Sequence, residues 1–422
     1  MDIVRQELDR LYRANFGKMV GSLLYFSSDI DLETAEDLVQ DSFSAALTAW
    51  TKESIPANPE GWIYKVCKNK ALNKIREGKK FRNLFAAEDF PSGEAALRDS
   101  AFDDPSLKLL FACAHPDLSP KTQVVITLKY VAGLKVEAIS KILGMSEDGV
   151  DKLLLRARQK IRDQKILLEA PGGSALTPRL PIVHKIIYLV FNEGYKSSWG
   201  KEMLREELCE EALLMNRALL KSGISNSETA ALNALMLFNA ARLKARFSAS
   251  GELLALEEQD RSLWNPDLIK LGCEFLLKSR GESISTYHYE ASIACLHCSA
   301  KSFDTTDWNG ITNLYMKLLN MYRNPFVELN FAIALYYSGQ KQKAFEIINE
   351  LQKEPFLSQY YLLNASLGKM YFLEGEGQKA KTYFLKTLQQ TKFQVERDFI
   401  QKMIDQIDGR EGKASNLSPG HY

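Results

Sequence analysis

Apolar residues recur three and four positions apart along nearly the whole chain, and no stretch alternates with period two. That spacing predicts helices throughout and strands nowhere, because 3.6 residues per turn gathers positions i, i+3 and i+4 on one buried face. Three segments stand out. Between Thr34 and Trp50 the pattern turns Leu38, Val39, Ala46, Leu47 and Trp50 inward and leaves Glu36, Asp37, Gln40 and Asp41 outside. From Asn58, Pro59 can open a helix whose Lys65, Lys68, Asn69, Arg76 and Lys79 fall along one stripe, continued by Lys80, with Trp62, Tyr64 and Phe81 interleaved. Further on, Ile139, Ile142 and Leu143 mark a short helix that Gly144-Met145 ends. Ser146 then suits the N-cap of a second helix, which carries Glu147 and Asp148 in its first turn and Val150, Leu153, Leu154, Ala157 and Ile161 on one face. Two short helices joined by a tight glycine turn, the second followed by Arg156, Arg158, Lys160 and Arg162, form a helix-turn-helix pattern.

Composition breaks divide these helices. Residues 83–106 are polar and acidic, with Pro91-Ser92-Gly93 and Asp103-Asp104-Pro105, and read as a linker. Ala170-Pro171-Gly172-Gly173-Ser174 marks a second linker, at 169–178, and a weaker break falls at Ser279-Arg280-Gly281. An all-α architecture is expected: small helical domains at 1–82 and 107–168, a helical domain at 179–281, helical repeats at 282–408 and a disordered tail at 409–422. The glycine-rich second linker predicts that the two N-terminal domains fold without the rest. The repeat is read from Gly339 and Ala344, which recur 36 residues later as Gly375 and Ala380. Each pair follows an aromatic helix and precedes an amphipathic one, as in tetratricopeptide-type hairpins of about 34 residues. The segment Phe399–Ile407 would cap the stack.

Net charge adds little as a total, since 54 basic side chains nearly cancel 53 acidic ones. Its distribution matters more. Lys65 to Arg82 holds eight bases (Lys65, Lys68, Lys70, Lys74, Arg76, Lys79, Lys80, Arg82) against Glu77 alone, and Lys152 to Lys165 holds six (Lys152, Arg156, Arg158, Lys160, Arg162, Lys165) against Asp163. Asp29 to Asp41 holds six carboxylates and no base. Two basic patches and one acidic patch suggest separate surfaces for separate partners. Bases tracking phosphates, with aromatic rings that can stack on opened bases, suit single-strand capture, whereas a helix-turn-helix suits the major groove of a duplex. The six scattered cysteines fit a reducing cytoplasm rather than a disulfide framework. Met1 runs directly into charged residues, and the longest apolar run, Ile186 to Phe191, is too short for a membrane span.

No enzyme chemistry emerges. Cys295-Leu296-His297-Cys298 has the internal spacing of half a zinc site, but no second pair completes it, so inward packing of both cysteines is expected. Glu257, Glu258 and Asp260 read as a solvated turn paired with Arg261, and His184 and His288 as structural. No cofactor and no metal is expected. Three binding functions remain open at this level: a transcription factor that acts with polymerase, a helix-turn-helix regulator that acts without it, and a repeat scaffold.

The order of the motifs carries a resemblance. Ala35-Glu36-Asp37-Leu38-Val39-Gln40-Asp41-Ser42-Phe43 resembles the polymerase-binding helix of RNA polymerase sigma factors of the extracytoplasmic-function class. Asn58-Pro59-Glu60-Gly61-Trp62-Ile63, with Asn69, Ala71 and Arg76, resembles their promoter-melting helix, and Leu118-Ser119-Pro120, Leu143-Gly144-Met145-Ser146 and Arg156-Ala157-Arg158 resemble their second domain. Phe191-Asn192-Glu193-Gly194-Tyr195, Leu256 to Arg261, Thr306-Asp307-Trp308 and the repeat pair resemble the long-tailed subgroup. The resemblance implies core RNA polymerase and promoter DNA as partners, a protein or small-molecule ligand at the extension, and no membrane partner. It assigns Asp37, Gln40 and Asp41 to core polymerase, and Lys65, Lys68, Asn69, Arg76, Lys79 and Lys80 to the melted downstream element. Ser146, Lys152, Arg156, Arg158 and Lys160 would position the upstream element. One departure bears on the last group. Where the family commonly carries Thr-Val-Lys-Ser-Arg-Leu, this chain has Gly149-Val150-Asp151-Lys152-Leu153-Leu154, which implies weaker upstream contact.

Overall fold

The computed structural model describes the chain except residues 1, 28, 52–53, 83–104, 165, 167–175, 196–205, 282, 355–356, 358–359, 392–393 and 416–422, and the side chains of 2–3, 13, 77–82, 105–106 and 410–415. Apart from one isolated antiparallel bridge between Phe247 and Leu253, helices and short 3-10 turns are the only regular structure among the described residues. None of the described helices is long and apolar enough to cross a membrane. The chain divides into two compact units, residues 1–229 and 230–422.

The first unit begins with α1 (Asp2–Phe26), α2 (Leu32–Ala49) and α3 (Pro59–Arg82), packed in sequence. It continues with α4 (Pro105–Cys113), α5 (Pro120–Tyr130), α6 (Val136–Leu143), α7 (Glu147–Asp163), α8 (Leu180–Tyr195) and α9 (Glu206–Lys221). The helices of the first two expected domains, α1–α3 and α4–α7, are not beads on a string. Helix α4 lies against α1, and Gly17 of α1 approaches so near that a Cβ there would sit 2.2 Å from the Val131 carbonyl oxygen at the end of α5. Phe16, Met19 and Val20 are buried on that part of α1. Beyond the glycine-rich segment, α8 packs on α5 and α9 on α4, while Arg179 donates to the Phe111 carbonyl at 2.6 Å. The two N-terminal domains are thus in contact with each other, and the second of them with the helices beyond the second linker. Linker composition reports chain freedom between two points, whereas the fully buried Leu109, Leu110 and Phe111 show α4 enclosed from several sides.

The unit boundary falls inside α10 (Ser227–Ala241). The second unit holds α11 (Pro266–Lys278), α12 (Thr286–Ser299), α13 (Trp308–Met321), α14 (Pro325–Tyr337), α15 (Lys341–Leu351), α16 (Tyr361–Leu373), α17 (Gly377–Gln390) and α18 (Gln394–Ser415). The repeat seen in the sequence is the pair of hairpins α14–α15 and α16–α17. In each, the turn glycine adopts a left-handed conformation, at φ 90° for Gly339 and 80° for Gly375. The two turns share one bond pattern: Gly339 and Gln340 donate to Tyr336 and Leu335, and Gly375 and Glu376 donate to Phe372 and Tyr371. This double bond closes a helix C-terminus around a residue that pays no Cβ penalty there. Ala344 and Ala380 are fully buried at the helix contacts. Helix α18 covers the last hairpin with Ile400, Met403, Ile404 and Ile407 against Ala380 and Phe384. It runs on to Ser415, so residues 409–415 are helical rather than a patternless tail; an established helix propagates through polar residues that carry no apolar period. The linker expected at 83–106 lies almost entirely outside the described residues.

Candidate nucleic-acid interface

Helix α2 begins at Asp31, whose carboxylate accepts the Thr34 N–H at 2.8 Å. Its core face is Ala35, Leu38, Val39, Phe43 and Ala46, closed by Trp50 just beyond its end. Asp37, Gln40 and Asp41 stand exposed on the opposite side. Two positions depart from the pattern. Leu47 points outward, 47% exposed, one heptad from Gln40 and on the same face. Glu36 points inward, because the flank it occupies is covered by α5 and α7. Lys129 lies 2.8 Å from one Glu36 oxygen and Arg158 3.1 Å from the other, and Gln40 donates to Glu36 at 3.0 Å. Arg158 also lies 3.8 Å from Glu33 and donates to the Tyr130 hydroxyl at 2.6 Å. Burial raises the Tyr130 phenol well above its usual value, so it stays protonated and receives that bond on its oxygen. None of this cluster is visible in local spacing, since Glu36 and Arg158 are 122 residues apart.

Helix α3 is capped by Asn58, whose side-chain oxygen accepts the Gly61 N–H at 2.9 Å, with Pro59 at its first position. Ile63, Cys67, Ala71 and Ile75 turn toward the core. The opposite side exposes Lys65, Lys68, Asn69 and Arg76, none of whose charged members has an ion-pair partner among the described residues. Lys70 on the flank comes within 3.8 Å of Asp41, which ties the basic helix to the acidic one. The side chains of Lys79, Lys80 and Phe81 lie outside the described residues. Trp62 is half-buried and meets Trp50 edge to face at 5.3 Å, so it braces the α2–α3 pair.

In the helix-turn-helix, Gly144 takes a left-handed conformation at φ 61° and Ser146 accepts the Gly149 N–H at 3.1 Å. Val150, Leu154 and Ala157 are buried, with Leu153 and Ile161 at the margin. Outward lie Asp151, Lys152, Leu155, Arg156 and Lys160. Lys152 pairs with Asp148 at 2.6 Å, and Lys160 donates to the Asp117 carbonyl at 2.6 Å. The structure thus gathers Lys152, Arg156 and Lys160 on one exposed surface and draws Arg158 away from it toward α2.

Residues 11–81 match sigma-70 region 2, and residues 108–161 match sigma-70 region 4. The chain is an RNA polymerase sigma factor of the extracytoplasmic-function class, long-tailed subgroup. Residues 179–280 of this sigma factor match a family of unknown function, DUF6596. An uncharacterised protein of Rhizobium meliloti (strain 1021) is 31% identical over 396 residues, 92% of this chain and 93% of its own length. The similarity to ECF RNA polymerase sigma factor SigE of Mycolicibacterium smegmatis is 26% over 164 residues, 38% of this chain and 60% of that one. RNA polymerase sigma factor YlaC of Bacillus subtilis is 26% identical over 165 residues, 37% of this chain and 91% of its own. No solved structure matches.

The remaining candidate chemistry resolves into packing. Cys295 and Cys298 are half-buried rather than fully inward: the Cys295 sulfur lies 3.9 Å from that of Cys273, and Cys298 faces the Phe238 carbonyl at 3.8 Å. Arg261 does not pair with the nearby acids. It donates to the carbonyls of His297 and Ala300 and lies over the Trp264 ring at 4.5 Å, while Asp260 caps Ser262 and Glu257 bonds Lys369. Partners 36, 39 and 112 residues away outcompete the sequence neighbour for Arg261 and Glu257.

Proposed function

We propose that this sigma factor brings core RNA polymerase to specific promoters through the exposed face of α2, and holds the melted strand on α3. What carries the reading is the juxtaposition of the two helices: an acidic face and an open basic stripe on one braced pair. Asp37 and Asp41 would supply charge complementarity for core and Gln40 a neutral polar contact, and Leu47 adds an apolar anchor that spacing alone turns inward. Lys65, Lys68, Asn69, Arg76, Lys79 and Lys80 would track the single-strand backbone. Ser146, Lys152, Arg156 and Lys160 would position the upstream duplex, and Arg158 would join them once released from Glu36. The packing of α8 and α9 on α5 and α4 supports a second element of the proposal, that the extension modulates initiation by bearing directly on region 4.

The test is transcription from a promoter-bearing template by core polymerase with and without the purified chain. Specific transcripts are expected only with it. The double charge reversal Asp37→Lys/Asp41→Lys, and separately Leu47→Ala, should weaken core binding while leaving the melting transition in place, since all three side chains are exposed. Normal core binding by both variants would move the docking face elsewhere. Arg179→Ala should alter transcript yield at unchanged core affinity; an unaltered yield would remove the modulatory role of this contact.

A further inference from the structure

The second unit holds a partly open cavity of about 330 Å³ between α13, α14 and α16, bordered by α17, α18 and the turn at 255–257. One wall is aromatic. Trp308 and Tyr337 stack with centroids 4.8 Å apart, and Phe303 meets both edge-on at 5.0 and 4.9 Å. Met370 and Met403 supply soft, adaptable surface. The polar contribution is small and unusual. Glu257 and Lys369 bond each other across 112 residues, and the Tyr337 hydroxyl donates to the second Glu257 oxygen at 3.4 Å. His297, edge-on to Trp308 at 5.3 Å, also lines the cavity, and its Nδ1 is buried without a hydrogen-bond partner. Burial, with Arg242 and Arg261 nearby, pushes its pKa down to about 4, so the ring is neutral near pH 7.

We propose that this cavity is a ligand site for a small, uncharged, largely apolar molecule that has a planar ring. The size falls in the range of small-molecule pockets and is too small for a helix of a partner protein. Offset stacking and edge contacts with Trp308, Tyr337 and Phe303 favour a ring. The lining charges sum to zero, since Glu257 and Lys369 neutralise each other and His297 is uncharged. A net ion would therefore enter without a counter-charge, or would break the existing pair and strand one member of it. This site is separate from the sigma reading and stands or falls on binding alone.

The probe is N-phenyl-1-naphthylamine, an uncharged two-ring amine with one N–H that fluoresces on entering apolar surroundings, titrated into the full chain. Its comparator is 8-anilinonaphthalene-1-sulfonate, the same frame with a fixed negative charge. Saturable binding near one equivalent is expected, at least tenfold tighter for the uncharged dye. Ser366→Trp and Ala365→Phe place bulk at half-buried positions of the lining and should each weaken the uncharged dye at least tenfold, with helical content retained. Equal affinity for the two dyes, or no saturable binding in the unmodified chain, overturns the proposal whether or not the variants fold. Undiminished binding by either folded variant also overturns it, by placing the dye elsewhere.

Discussion

Helices α3 and α7 have similar basic composition and opposite electrostatic situations. On α3, Lys65, Lys68 and Arg76 face solvent with no ion pair among the described residues. On α7, Lys152 is held by Asp148, Lys160 by the Asp117 carbonyl and Arg158 by Glu36, Glu33 and Tyr130. A cation already bonded to protein must give up that bond before it can neutralise a phosphate, so equal numbers of bases do not mean equal DNA surfaces. The difference also has an order. The open bases of α3 are available as folded, whereas Arg158 of α7 could reach a phosphate only by exchanging its bonds to Glu36 and Tyr130. Because Glu36 adjoins the exposed acidic face of α2, polymerase docking on that face, as proposed, would act where Arg158 is held.

The largest expected effect comes from removing the anchor. Glu36→Ala leaves Lys129 and Arg158 facing one another, with side chains 18% and 24% exposed. A fully buried pair broken this way costs 3–5 kcal/mol; partial exposure of both cations reduces that to about 2 kcal/mol. Chemical denaturation of the full chain would show it as a lowered midpoint with unchanged slope. An unmoved midpoint would mean that water already serves these cations, and the contrast with α3 would collapse.

Next in size is Gly17→Ala. Alanine gains about 1 kcal/mol of helix propensity over glycine. Yet its Cβ would meet the Val131 carbonyl oxygen at 2.2 Å, and a backbone atom cannot rotate away. The helices must part, so a net loss of about 1–2 kcal/mol is expected, in the usual range for overpacking. If parting frees Arg158, this variant should bind upstream duplex more tightly than the parent, measured by anisotropy at low salt. Greater stability than the parent would show that α1 and α5 do not meet as described.

What is legible in the sequence, and what is not, follows the same division. Ser146, Gly144, Gly339 and Gly375 announce local geometry, because a cap or a left-handed turn is decided within a few residues. The core face of α2 is legible at Leu38, Val39, Ala46 and Trp50, since helical period alone fixes it. Periodicity places Glu36 and Leu47 the wrong way round for one reason. At 3.6 residues per turn they lie about 20° apart on the same flank. Which of them is covered depends on where α5 and α7 dock, information that lies far along the chain. The Glu257–Lys369 pair and the docking of α8 on α5 escape for the same cause. Periodicity tells which face of a helix is buried but leaves its flanks to tertiary contacts.

Third comes the open helix itself. Replacing Lys68 and Arg76 by glutamine should reduce the magnitude of the log-affinity salt slope on single-stranded DNA by ~1.4, about 0.7 for each phosphate that is no longer neutralised. The measurement is a titration between about 50 and 200 mM salt. An unchanged slope would make the stripe an ordinary solvated face and leave α3 no more DNA-directed than α7.

The smallest effect separates two arginines on α7 itself. Arg156 is exposed, whereas Arg158 is held by Glu36 and Tyr130, two positions away on the same helix. On duplex DNA carrying the upstream element, each neutralised phosphate contributes ~0.9 to the slope. For the free sigma factor, Arg156→Gln should therefore lower the slope by about that amount and Arg158→Gln by less than half of it. With core polymerase bound to α2, the Arg158 cluster is under competition from the docking partner, and the two variants should converge. Equal slopes in the free protein would mean that Arg158 already reaches phosphate without leaving Glu36. A difference that persists unchanged in the holoenzyme would mean that core binding does not release it. The contrast between the two helices thus turns on whether a residue's bond to its own chain is exchanged for a bond to DNA. The salt slope reads that exchange directly, because counterions leave only when a phosphate is neutralised.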